Sequence, residues 1–118
     1  MNLNKLAQKV HRANKKWWKH PDTRLPVMRN KGECIALQHS ELSECLEGER
    51  KGLMDDHLPQ YPMAVVEQVD CMIRILDYCA GFYPTINVQK VFDAKMAYNR
   101  KRKDHKLEAR QKAGGKKF

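Results

Sequence analysis

The stretch MAVVEQVDCMIRILDYCAG, residues 63–81, decides the fold. At 100° per residue, Val66, Val69, Ile73, Leu76 and Ala80 cover one broad side of a helix, while Val65, Met72 and Ile75 cover much of the opposite side. A helix that is apolar nearly all round is a buried helix. Its one long polar stripe, Glu67, Asp70, Arg74 and Asp77, falls within an arc of about 80°. Polar groups on a buried helix must meet partners, water in a cavity, or a ligand. Pro59 and Pro62 precede the helix, and Gly81 reads as the glycine just past its end.

Working outward, a helix from about Glu33 to Arg50 comes before this one and closes near Gly52. Its apolar stripe is Ile35, Leu42 and Leu46, flanked by Cys45. Leu3, Leu6, Val10 and Trp17 recur at helical spacing, so a first helix, capped by Asn2, is expected to end near Trp17–Trp18. Pro21, Asp22, Pro26, Asn30 and Gly32 mark residues 19–32 as a loop. A fourth helix is expected after Pro84, capped by Thr85 and running to about Arg102, with weak order in the basic tail 103–118. No β-alternation of useful length and no internal repeat occurs. The expectation is an all-α chain of four to five helices, and 118 residues fit a single domain, 1–118. Four helices leave little chain to cover the apolar one, so a homodimer or homotetramer completing the bundle is expected.

Two acidic pairs stand on neighbouring helices: Glu41 with Glu44, and Glu67 with Asp70, each at i and i+3. Such pairs share a helix face, and helices joined by a short loop pack antiparallel about 8–10 Å apart. Four carboxylates reaching inward would repel by roughly 14 kcal/mol at an effective dielectric of about 20. That rivals the whole stability of a domain, about 5–15 kcal/mol. Protons, arginines or metal ions must offset it. All-oxygen ligation suits hard divalent cations such as Mg²⁺ or Mn²⁺. A di-iron site is the weaker rival, because such bundles use Glu-x-x-His and none occurs here.

The net charge of +9 is unevenly spread. Residues 1–31, the basic first helix and loop, carry nine Lys/Arg and one acid, and residues 100–118 carry nine and two. The middle, 32–99, holds eleven acids against five bases. No apolar run approaches the ~18–20 residues of a membrane span, and the N-terminal stretch lacks a secretory h-region. Cys34, Cys45, Cys71 and Cys79 show neither zinc-ligand nor disulfide-scaffold spacing. Reduced, packed thiols and a cytoplasmic location are expected.

HSELSECLEGERKG, followed after a short loop by VVEQVDCMIRILDYC, resembles the MazG-like branch of the all-α nucleoside triphosphate pyrophosphohydrolases. The resemblance continues through KMAYNRKR to the terminal GGKKF, and suggests the small phage and bacterial members. It implies that Glu41, Glu44, Glu67 and Asp70 ligate Mg²⁺, with Mn²⁺ as substitute, and that Glu41 or Glu44 activates water. It further implies hydrolysis of a nucleoside triphosphate to the monophosphate and pyrophosphate, with dGTP or GTP as leading substrate and a bacterial or phage-infected cytosol as the setting. Lys95, Asn99 and Arg102 lie within about 60° on the fourth helix and match the family's phosphate-binding positions. Ser40 stands where many members carry Glu.

Trp17 and Trp18 offer stacking surface for the base; adjacent residues point about 100° apart, so one belongs to the core and the other lines the pocket. The alternative is a small basic nucleic-acid-binding protein without catalytic activity. It leaves the four inward acids unexplained, and no helix-turn-helix, zinc-finger or RNA-recognition signature accompanies the charge.

Overall fold

The computed structural model describes residues 2–118. The described chain is all-helical: α1 (Leu3–Ala13), a 3₁₀ turn (Lys15–Trp18), α2 (Lys31–Lys51), α3 (Met63–Phe82), α4 (Val88–Lys101), a second 3₁₀ turn (Lys103–His105) and α5 (Leu107–Gln111). Among the described residues, β pairing is confined to the isolated bridges Lys19–Pro26 and Met54–Pro62. By internal contacts the chain forms two compact units, one ending at Ile86 and the other spanning Asn87–Phe118.

The first unit is an antiparallel α2/α3 hairpin with α1 laid against α3. Asn2 caps α1 as expected, its side chain accepting from the amides of Asn4 and Lys5 at 2.8 and 3.3 Å. The α-helix itself stops at Ala13, and the two tryptophans ride on the 3₁₀ turn that follows. Asn30 caps α2 through Glu33 N–H at 3.0 Å, and Gly52 closes it in the left-handed region at φ 62°. Asp55 organises the loop to α3: its carboxylate accepts from the amides of His57 and Leu58 at 3.0 and 2.8 Å.

The helix seam is built on a seven-residue spacing. Cys34, Glu41 and Gly48 are the buried residues of α2; on α3 they meet the side that carries Ala64, Glu67 and Cys71. A Cβ on Gly48 would stand 3.1 Å from both Ala64 N and Met63 Cβ, so the glycine lets the hairpin close. One side of the seam is marked by Gln68 Nε2 donating to Cys45 Sγ at 3.5 Å, the other by Arg74 Nε donating to Glu41 at 2.6 Å. All four cysteines are free thiols.

Several expectations are corrected. The stripe Ile35, Leu42 and Leu46 does not enter the seam; these residues are 41%, 42% and 59% exposed. Within one chain α3 is not covered all round: Val65, Val69, Met72 and Ile75 are exposed while Glu67 and Asp77 are buried. The physical reason is that α3 has helical neighbours on only two sides, α1 and α2. Gly81 does not end α3, which continues to Phe82 with Tyr83 as its cap. It is glycine because a Cβ there would lie 2.3 Å from the Trp18 ring. Asn87, not Thr85, caps α4, accepting from Lys90 N–H at 3.1 Å. The basic tail carries the short helix α5, and the guanidinium of Arg110 donates to the carbonyls of Lys116 and Lys117 at 3.2 and 2.8 Å.

Gly81→Ala should therefore destabilise the protein although alanine is the better helix former. Overpacking costs about 1–3 kcal/mol against a propensity gain of about 1 kcal/mol, so a lowered urea midpoint is expected. An unchanged or raised midpoint would show that the Trp18 contact yields freely.

Candidate functional site

Seven-residue spacing brings Glu41 to the α2/α3 seam, and the i, i+3 relation puts Asp70 one turn beyond Glu67 on the facing helix. One carboxylate oxygen from each of Glu41, Glu67 and Asp70 lies within 4.8 Å of the other two. Glu41 and Glu67 are 7% and 8% exposed, which for glutamates demands compensation. Arg74 supplies part of it, pairing with Glu41 at 2.6 Å. Glu67 Oε2 is buried with no hydrogen-bond partner. Glu44 stands at the exposed rim, close enough for its charge to act on Glu67.

The protonation pattern follows from this crowding. Burial first, then hydrogen bonds shared with Glu41 and Glu44 and their negative charge, pushes the Glu67 carboxyl from 4.5 up to about 8. Burial, then the charge of Glu41, also raises Asp70, with Arg74 opposing. Glu41 goes the other way: burial would raise it, but the hydrogen bonds from Arg74 and Glu67 and the arginine charge hold it low. One proton thus resides on the site near neutral pH, a partial substitute for a cation. The all-oxygen donor set and the unpartnered Glu67 oxygen both fit a hard divalent ion.

Beside the carboxylates opens a cleft of about 450 Å³ whose lining includes Glu41, Asp70 and Arg74. Asp77, seven residues and so about 10 Å further along α3, belongs to the same lining with Trp17, Trp18 and Arg29. Asp77 is 5% exposed and accepts from His11 Nδ1 at 2.7 Å and from Trp18 Nε1 at 3.1–3.2 Å. The Arg29 guanidinium stands 3.7 Å from Asp77 and 5.1 Å over the Trp18 ring. Trp18 is the packed member of the pair, edge-on to Phe82 at 4.9 Å, whereas Trp17 is 61% exposed. The sequence marked Asp77 as polar on an apolar helix; nothing in it singled out His11 or Arg29 as its partners.

Lys95, Asn99 and Arg102 belong to the second unit, whereas the carboxylates and the cleft belong to the first. Lys95 lies 5.0 Å and Arg102 5.9 Å over the ring of Tyr98. Arg102 is committed to Asp104 through two hydrogen bonds of 3.1 and 2.8 Å, and Lys116 pairs with the same carboxylate at 2.9 Å. These two cations hold Asp104 well below the usual carboxylate range. Asn99 Oδ1 is buried without a hydrogen-bond partner.

Comparison with known proteins returns no match, whether to family models, curated proteins or solved structures.

The raised Glu67 carboxyl makes a stability prediction for the metal-free protein. The folded chain holds this proton more tightly than the unfolded one. Its contribution is complete below pH 4.5 and is lost as pH rises through about 8. The urea midpoint should fall across that window, and Glu67→Gln should flatten the fall. A midpoint that rises with pH across the same window would contradict the shared-proton arrangement.

Proposed function

We propose that this chain is a metal-dependent nucleoside triphosphate pyrophosphohydrolase, as its four-acid pattern suggests. One observation carries the reading: Glu41, Glu67 and Asp70 converge from two helices, with a buried unpartnered oxygen among them, beside a cleft whose lining includes Glu41, Asp70, Trp17 and Trp18. Glu41, Glu67 and Asp70 would hold Mg²⁺, or Mn²⁺ in its place, with Glu44 at the rim. Such an ion neutralises phosphate oxygens and acidifies water.

The chain's own residues have distinct tasks in this reaction. Arg74 restrains Glu41 and adds positive charge at the phosphate end of the cleft. Glu44, exposed at the rim of the group, is the carboxylate we assign to accept a proton from the attacking water. Water oxygen bonds to the α-phosphorus, the bond from that phosphorus to the bridging oxygen breaks, and the products are the nucleoside monophosphate and pyrophosphate. Trp17 meets the base, and dGTP or GTP heads the substrate panel. Lys95, Asn99 and Arg102, on the other unit, remain phosphate-binding candidates through the resemblance alone, and Arg102 is held there by Asp104.

A second copy of the chain belongs to the reading. The apolar residues Leu42, Leu46, Val65, Val69 and Met72 flank the Cys45–Gln68 side of the hairpin, opposite the acids, and all five are exposed. Packing against a second copy would cover them. Among the described residues no helix is long and apolar enough to cross a membrane.

With Mg²⁺ or Mn²⁺, purified protein should release pyrophosphate and not single phosphate from at least one nucleoside triphosphate. Glu44→Ala or Asp70→Ala should lower turnover at least about a hundredfold while leaving the circular dichroism helical. Turnover that survives a chelator would sink the metal reading. In sedimentation, wild type should run as a dimer or tetramer and Val69→Glu as a smaller species; a wild-type monomer would remove the oligomer from the proposal.

A second reading, binding of nucleic acid, is favoured by the Asn87–Phe118 unit, which carries eleven Lys/Arg against three acids. A salt-dependent gel shift of duplex DNA without nucleotide turnover would select it over the first.

A further inference from the structure

Asp77 is the one buried carboxylate of α3 outside the acidic cluster, and the chemistry at the phosphate end has no use for it. Its environment is assembled from three separate segments. His11 comes from α1, Trp18 from the 3₁₀ turn, and Arg29 from the loop before α2. A buried carboxylate is costly to desolvate and depends on the partners that surround it.

Two of these partners, Trp18 and Arg29, line the cleft. The Trp18 indole N–H is spent on Asp77, and its ring abuts Gly81 and Phe82, so the residue is locked. Locking Trp18 also fixes the short turn that carries Trp17, whose exposed ring lines the same cleft with Lys16 Nζ 5.5 Å from its centroid. Arg29 lies over the Trp18 ring, and its planar guanidinium extends the aromatic surface and brings N–H donors that Asp77 does not consume. Flat aromatic and guanidinium planes together are the surface on which a nucleobase stacks.

From this we infer that Asp77 is the positioning residue of a nucleobase subsite, holding Trp18 and Arg29 so that Trp17 and Arg29 face a flat heteroaromatic ring. The inference rests on the cleft being a nucleotide site, as proposed above, but not on hydrolysis. Asp77 itself does not contact the base, because its oxygens already serve His11, Trp18 and Arg29.

The test uses the full chain without divalent metal, titrated with each of the four deoxynucleosides while tryptophan emission is followed. At least one should quench emission saturably. Asp77→Asn and Arg29→Met should each weaken that binding about tenfold or more, as loss of a stacking surface does. In turnover assays both variants should raise KM for the nucleoside triphosphate by a similar factor, with kcat within about twofold, the signature of lost binding and not of lost chemistry. Should Asp77→Asn unfold, Arg29→Met, which alters a loop side chain, carries the test alone. No quenching by any deoxynucleoside, or Arg29→Met binding and turning over like wild type, overturns the inference. Saturable quenching that weakens in the variants, in a protein that hydrolyses nothing, upholds the subsite and removes only the hydrolase reading.

Discussion

Two glutamates pressed together between packed helices are the constraint that organises the first unit. Glu41 and Glu67 are both buried at the α2/α3 seam, where each charge repels the other and neither reaches bulk water freely. Small residues at the same seam, Gly48 and Ala64, bring the backbones close enough that the carboxylates cannot avoid one another. Arg74 settles one of them and a proton settles the other. The third acid, Asp70, is raised by the same crowding. An apolar pair of similar volume would stabilise such a seam at least as well, so the acids are retained at a cost in stability.

The hairpin is consequently two-sided in an unusual sense. One side of the seam carries the acids, Arg74 and the cleft; the other carries aliphatic residues with Gln68 and Cys45 between them. In an isolated chain the ordinary arrangement is reversed here, with carboxylates inside and aliphatic side chains outside. Both halves of that reversal have the same origin. Helix α3 has more apolar surface than α1 and α2 can cover, and its polar stripe lies where those two helices meet it.

Much of this was legible in the sequence, and the losses have physical reasons. Apolar density and proline punctuation located α2 and α3 to within two residues, because those signals are local. The i, i+3 acids were found for the same reason. What periodicity does not encode is which side of a helix meets a partner: the apolar stripe Ile35, Leu42 and Leu46 is exposed, while Gly48 makes the contact. Gly81 was misread because a glycine near a helix end signals termination, whereas here it clears space for a ring more than sixty residues away in sequence. The Asp77 partners were invisible for a related reason, since His11 and Arg29 reach it across long stretches of chain. Lys95 and Asn99 stand on α4, but Arg102 is the extended residue that ends it, and its pairing with Asp104 has no periodic signature.

The two ends of the cleft also differ in the length of chain that each must close. Glu41 and Arg74 are 33 residues apart and sit on consecutive helices joined by one tight, hydrogen-bonded loop. His11 and Asp77 are 66 apart and meet only when α1 returns to α3. Loop closure over the longer span costs more entropy, and contacts of low sequence separation form first. The carboxylate end is therefore an early, hairpin-scale structure, and the aromatic end is a late one. By the same ordering, a fluctuation that lifts α1 would dissolve the aromatic wall while leaving the acidic cluster assembled, so amide exchange along α1 would report on one half of the cleft alone.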